Sequence, residues 1–84
     1  MRHLQNAAWI FESRWGRFSI LPQGNGRWQV YFCDEALGSY HSPEFALDDL
    51  VGDHCFPNSI GLDTSRAGIP DSLRDWEAWQ LTRR

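Results

Sequence analysis

The chain has 84 residues, a formal net charge of −3 and a hydrophobic content of 42%. These values indicate one globular domain over residues 1–84 and exclude a disordered chain, and no apolar run reaches the roughly 18 residues of a membrane helix. The first ten residues lack a signal-peptide pattern, and two cysteines are too few for a disulfide scaffold. We therefore expect free thiols in a cytoplasmic protein that does not associate with membranes.

The first half of the chain predicts β-structure. Residues 1–14 form an N-terminal arm whose apolar run, Ala7–Phe11, fits a strand or a short helix equally well. Further on, Trp28, Val30 and Phe32 alternate with more polar residues, which predicts a half-buried strand. Turn residues on both sides of it predict an antiparallel β-meander of three strands, spanning Trp15–Leu21, Arg27–Cys33 and Leu37–His41.

A helix start follows the third predicted strand. Ser42 is a preferred N-cap residue, Pro43 fits the first helical turn, and Gly52 fits the position just after a helix. The predicted helix spans Pro43–Val51, and its apolar stripe predicts packing across one face of the sheet. The expected fold class is therefore α+β, with a three-stranded antiparallel β-meander and a helix packed across it within residues 15–52.

The last third of the chain predicts an ordered loop and a second helix. Residues 53–70 contain many turn formers, and Asp63 is expected to cap its own backbone in an Asx-type turn. Three apolar side chains are expected to dock this loop on the core: Phe56, Ile60 and Ile69. Residues 71–84 are expected to form a C-terminal helix, with Asp71 as its N-cap.

Acidic residues concentrate on the first predicted helix. Several stand four residues apart, where like charges repel, so helix stability does not explain them. They are interpreted either as a solubilising surface or as a docking surface for a basic partner. This acidic face comprises Glu44, Asp48, Asp49 and Asp53.

Aromatic residues make up 14% of the chain, with five tryptophans, more than a three-stranded sheet and two helices can bury. Tryptophan and tyrosine are enriched at binding hot spots, so the surplus predicts a protein contact. We expect a homodimer that uses the N-terminal arm and the last helix. The aromatic partner-binding residues are predicted to be Trp9, Phe11, Trp76 and Trp79.

No motif for catalysis, phosphate binding or metal binding is present in the sequence, so no catalytic residue, metal site or cofactor is predicted. Nucleic-acid binding would have to rest on Arg14, Arg17 and Arg27 with two tryptophans, and the acidic balance of the chain disfavours it. The leading hypothesis is a small non-catalytic interaction module that uses exposed aromatics and the acidic helix.

A second hypothesis is a small-ligand-binding protein or minor enzyme. Its pocket would lie between the loop at 53–70 and the sheet, since such a cleft can gather polar groups around a ligand. The candidate pocket residues are Tyr40, His41, His54 and Asp63.

Short segments in the second half of the chain resemble a family of small bacterial proteins of unknown function, of the type encoded by integron gene cassettes. The segments that carry this resemblance are Gly38–Pro43, Ala46–Leu50, Gly52–His54, Gly68–Asp71 and Asp75–Glu77. That family usually has threonine where this chain has Cys55, which argues against a role for this thiol. The resemblance implies a bacterial cytoplasmic protein and no particular activity.

Overall fold

The computed structural model describes residues 7–80, in which a five-stranded antiparallel sheet packs against one α-helix. The elements in chain order are β1 (Ala7–Ser13), β2 (Gly16–Pro22), β3 (Trp28–Phe32), β4 (Glu35–Tyr40), α1 (Pro43–Val51) and β5 (Glu77–Gln80). The strand order across the sheet is β4-β3-β2-β1-β5, so the chain crosses from one edge to the other between α1 and β5. Two short 3₁₀ turns, Thr64–Arg66 and Leu73–Asp75, lie in this crossover.

The expectation of a three-stranded meander with a C-terminal helix is wrong. The N-terminal arm contributes β1, and the segment expected to be helical contains a 3₁₀ turn and then β5. The edge of β1 needs a strand partner, and β5 supplies it with Trp79 opposite Ala8 and Glu77 opposite Ile10. The remainder of the arm and of the expected C-terminal helix, residues 1–6 and 81–84, lies outside the described residues.

Helix α1 begins and ends where the sequence predicts. The Ser42 side chain accepts a hydrogen bond from the Phe45 backbone N–H at 3.1 Å, and the Gly52 N–H donates to the Asp48 carbonyl at 3.1 Å. The helix covers one face of β2, β3 and β4 and closes the core of the molecule there. The largest fully buried side chains of that core are Phe18, Ile20, Val30, Leu37 and Leu50.

A β-bulge directs one side chain of β4 into this core. Val30 of β3 pairs with Gly38, whereas the next residue, Tyr31, pairs with Ala36. Leu37 is therefore the extra residue of the bulge, and it is only 1% exposed. β4 is an edge strand, and its free edge is also covered, because the Phe56 N–H donates to the Leu37 carbonyl at 2.9 Å.

The loop after α1 docks through only some of the side chains expected to hold it. Phe56 and Ile60 are 70% and 58% exposed, so the expectation that they pack on the core is wrong. Ile69 does pack against the core, together with Cys55 and Leu62. The apolar positions of an irregular segment have no period that tells which of them point inward, so the sequence could not make this choice.

Polar side chains hold the same loop in shape. Asn58 is buried, and its amide both donates to and accepts from the backbone of Leu62 at 2.8 Å. Thr64 is also buried and donates through its hydroxyl to the Leu50 carbonyl. The Asx-type turn at Asp63 is confirmed, since its carboxylate accepts from the Ser65 N–H at 3.0 Å.

Candidate functional site

The predicted acidic face contains both exposed and structural carboxylates. Glu44 and Asp48 are exposed on α1, and Asp49 is half-buried. Asp53 follows the helix, and its carboxylate accepts a hydrogen bond from the Thr64 N–H at 3.2 Å. Asp53 is itself exposed and also ties the loop to the end of the helix, so the surface that a basic partner could meet consists of Glu44, Asp48 and Asp53.

Three of the four aromatic residues predicted to bind a partner lie against the core. Trp76 is only 4% exposed, and its indole N–H donates to the Pro70 carbonyl at 3.0 Å. The rings of Phe11 and Trp76 have their centroids 5.8 Å apart, and those of Trp9 and Trp28 have theirs 5.7 Å apart. Because β1 and β5 extend the sheet, they bury aromatic surface that a three-stranded sheet would have left exposed.

Trp79 lies on the other side of the sheet. Its neighbour Ala78 pairs with Trp9 on the helix-covered face, so strand alternation places Trp79 on the face opposite α1. There it stands opposite Ala8 and is 49% exposed. Trp79 is thus the member of the predicted aromatic set that a partner could reach.

Sequence reasoning missed the surface around Trp79, which we call the outer face. By strand alternation and register, it includes the half-buried Ile10 of β1, Leu21 of β2 and Tyr31 of β3. The available signal was the two-residue spacing of Ala8 and Ile10, which would place them on the same face of a strand. It has no meaning until the arm is known to be a strand.

The strand that carries Trp79 is an edge strand. β5 pairs with β1 on one side, and all four of its residues are exposed. Among the described residues, no backbone hydrogen bond joins its other side to a loop or a neighbouring strand. Unpaired backbone groups of this kind are a template for one more strand.

Among the cavities formed by the described residues, none is lined by more than one of the four candidate pocket residues. Tyr40 contacts Cys55, His54 is exposed, and His41 lies with its Nδ1 3.4 Å from an Arg27 nitrogen. Asp63 lines a cavity of about 260 Å³ under the loop, which none of the other three lines. Within residues 7–80, these four groups therefore do not converge on one of these cavities.

The contact between Tyr40 and Cys55 joins two groups that both stay protonated. The hydroxyl oxygen and the sulfur are 3.2 Å apart. Burial raises the pKa of the Tyr40 phenol, and the hydrogen bond with Cys55 raises it further. Burial also raises the pKa of the Cys55 thiol. Both groups are neutral at physiological pH, whereas a nucleophilic cysteine needs its thiolate.

A larger cavity lies between the loop and the end of the sheet, as the pocket hypothesis expects, but at other residues. We call it the Trp15 groove, and its volume is about 480 Å³. It opens between the β1–β2 turn, the β3–β4 turn and the loop after α1. Its lining residues are Trp15, Phe32, Cys33, Asp34, Glu35, Ser59 and Ile60.

No family model, curated protein or solved structure matches this chain. The resemblance to integron-cassette proteins therefore stays a prediction. Within residues 7–80, no helix is long and apolar enough to cross a bilayer. In the same part of the chain, no three histidine, cysteine, aspartate or glutamate side chains are placed to hold a metal ion.

Proposed function

We propose that this protein is a small non-catalytic interaction module that associates with a second copy of itself through β5. The observation that supports this proposal is the exposed edge strand with Trp79 at its centre. A strand whose outer backbone groups are unpaired can accept another strand, and an identical strand is always present at equal concentration. The cytoplasmic location of the module stays a prediction from the sequence.

A two-fold axis perpendicular to the sheet makes this pairing self-consistent. Such an axis joins two β5 strands antiparallel and keeps each face of the sheet continuous. Residues directly opposite each other must then lie on the same face, which allows Trp79 to stand opposite Trp79 of the second copy. The two Glu77 carboxylates lie on either side of the axis and do not oppose each other. An aromatic pair adds about 0.5–1.5 kcal/mol beyond the area that it buries.

The proposed dimer is weak and depends on concentration. A strand of four residues buries less than the roughly 1,200 Å² of a stable interface, so the association belongs to the transient class. The joined sheet would then have ten strands, with both helices on the same side.

Sedimentation equilibrium on the intact protein tests this proposal. The average mass is expected to rise above 9.8 kDa as concentration increases. Trp79→Lys places two like charges opposite each other at the axis and is expected to keep the protein monomeric. Trp15→Lys is the matched control, because Trp15 is 46% exposed and lies at the opposite end of the sheet, and it should associate like the wild type.

Two results would refute the proposed dimer. One is a constant monomeric mass up to about 1 mM, where an association of about 4 kcal/mol would still be visible. The other is an equal loss of association in both lysine variants, because that would show a general effect of charge and no effect of position.

A further inference from the structure

We propose that the Trp15 groove binds a small organic cation with an apolar body. This ligand site is independent of the proposed dimer, since it lies at the opposite end of the sheet from Trp79. Its volume of about 480 Å³ falls within the range of small-molecule sites, which is roughly 300–1,000 Å³.

The groove offers apolar contact on three sides. Phe32 is nearly fully buried and belongs to the core, so it forms a fixed floor. Trp15, on the β1–β2 turn, and Ile60, on the loop, are about half exposed and line the same cavity. Covering Trp15 and Ile60 with an apolar body removes water from both side chains, which stabilises a complex.

The charge of the groove selects a cation. Asp34 and Glu35 both line it, and none of its lining residues is basic. Neither carboxylate forms an ion pair within the described part of the chain. The Ser59 N–H donates to a Glu35 carboxylate oxygen at 2.9 Å, which holds this side chain in place beside the cavity. An anionic ligand would meet two like charges here, whereas a cation would gain two partners.

Trp15 adds an aromatic surface suited to the same charge. The guanidinium of Arg14 lies 5.2 Å from the centroid of the Trp15 ring, a distance typical of a cation–π contact. One face of this indole is therefore already occupied by a cation. A bound organic cation would use the rest of the ring and would be repelled weakly by Arg14.

The walls of the groove are fixed before any ligand arrives. The Cys33 N–H donates to the Arg17 carbonyl at 2.7 Å, which ties the β3–β4 turn to β2. Gly16 has a φ of +145°, and a Cβ on it would lie 2.7 Å from the Cys33 sulfur, so the start of β2 and the β3–β4 turn are in close contact. The Ser13 side chain accepts from the Trp15 N–H at 3.0 Å and so orders the other turn. A preformed site loses little conformational entropy on binding.

The two smaller cavities lack this combination of groups. The cavity of about 260 Å³ is bordered by Asp53 and Asp63, but no aromatic ring lines it. The cavity of about 320 Å³ contains Glu44 and Asp48 together with a basic residue, Arg74, and likewise no aromatic ring. Only the Trp15 groove, of the cavities described here, joins aromatic rings to uncompensated acids.

Benzyltrimethylammonium is the probe that tests this site, with benzyl alcohol as a neutral control and phenylacetate as an anionic one. Titration at low ionic strength, followed by backbone amide shifts, is expected to give saturable changes at Asp34, Glu35 and Ile60 for the cation alone. Added salt should weaken the binding, because the carboxylates are partly exposed.

Charge variants identify the groups responsible. Asp34→Asn combined with Glu35→Gln is expected to weaken cation binding about three- to tenfold, while Asp48→Asn, on α1, should leave it unchanged. Arg14→Gln is expected to strengthen binding, because it removes the positive charge that lies over the Trp15 ring. An unchanged melting temperature shows that each variant is folded.

Three results would overturn the ligand proposal. The first is the absence of saturable shifts with the cation. The second is equal binding of phenylacetate. The third is equal loss of binding in Asp48→Asn and in the groove variant. The proposed dimer would be unaffected by any of them, because its own test uses Trp79.

Discussion

At the β4 edge of the sheet, the chain turns back and covers the strand, whereas at the β5 edge the described chain leaves the strand exposed. Leu37 of β4 points into the core, its carbonyl accepts from Phe56, and the Glu35 side chain accepts from Ser59. The four residues of β5 have no such cover. Within residues 7–80, a loop therefore covers one edge of the sheet, and the other edge has no such cover.

The largest expected difference between the edges is in side-chain burial. Leu37→Ala should lower the free energy of unfolding by about 2–5 kcal/mol, because it leaves a cavity in the core. Trp79→Ala removes a larger side chain from the other edge, yet it should cost less than about 1 kcal/mol in the monomer. Urea denaturation at low protein concentration measures both values.

Similar costs for Leu37→Ala and Trp79→Ala would contradict the contrast between the edges. Ala36→Ser is a suitable control on the same strand as Leu37, because Ala36 is exposed. It should change the free energy of unfolding by no more than about 0.5 kcal/mol.

The loop that covers β4 provides the second prediction. Asn58→Ala removes two hydrogen bonds to the backbone of the half-buried Leu62 and leaves its N–H and carbonyl unpaired, which should cost about 1–3 kcal/mol. Amide exchange at Phe56 should become faster in this variant, since the loop would no longer hold this residue against Leu37.

Ser59→Ala is the control for the loop prediction. Ser59 is exposed, and it contacts Glu35 through its backbone N–H, which alanine retains. If Asn58→Ala and Ser59→Ala cost the same, the Asn58 amide does not hold the loop.

The smallest expected effect is a pH dependence at Asp63. Its hydrogen bonds with Ser65, and the nearby Arg66, lower the pKa of this exposed carboxyl. A lowered folded pKa means that its stabilising contribution is complete above the unfolded value of about 3.9 and is lost as the pH falls towards the folded value.

Asp63→Asn isolates this contribution, because asparagine keeps the acceptor and loses the titration. The difference in urea midpoint between the wild type and Asp63→Asn should be constant near neutral pH and should shrink below about pH 4. A difference that is the same at every pH would show that the charge of Asp63 does not support the loop.

Local sequence signals predicted the central part of the fold well. Ser42 and Gly52 mark the two ends of α1, because capping uses groups close together in the chain. The alternation of Trp28, Val30 and Phe32 identified β3 and its buried face, since that pattern lies within one strand. The turn at Asp63 was predictable for the same local reason.

The outer strands could not be predicted in this way. Trp76 is extended and precedes β5, and it shares one face with Ala78 and Gln80 of that strand, but so short a segment fits a helix nearly as well. What decides for β5 is the open edge of β1, which lies at the other end of the chain. The same missing partner explains why the sequence predicted Trp76 at the surface. Without β5 next to β1, nothing indicates that Trp76 packs against Phe11.

The pairing of Ala7 with Gln80 also has a consequence for the order of folding. The strands β1, β2, β3 and β4 and the helix α1 contact elements that are near them in the chain. These contacts can therefore form early, at a low cost in loop-closure entropy. The contact between β1 and β5 joins the two ends of the described chain and must await the last strand. During synthesis, β1 would therefore have an unpaired edge until β5 emerges, and the burial of Trp76 would mark the final step.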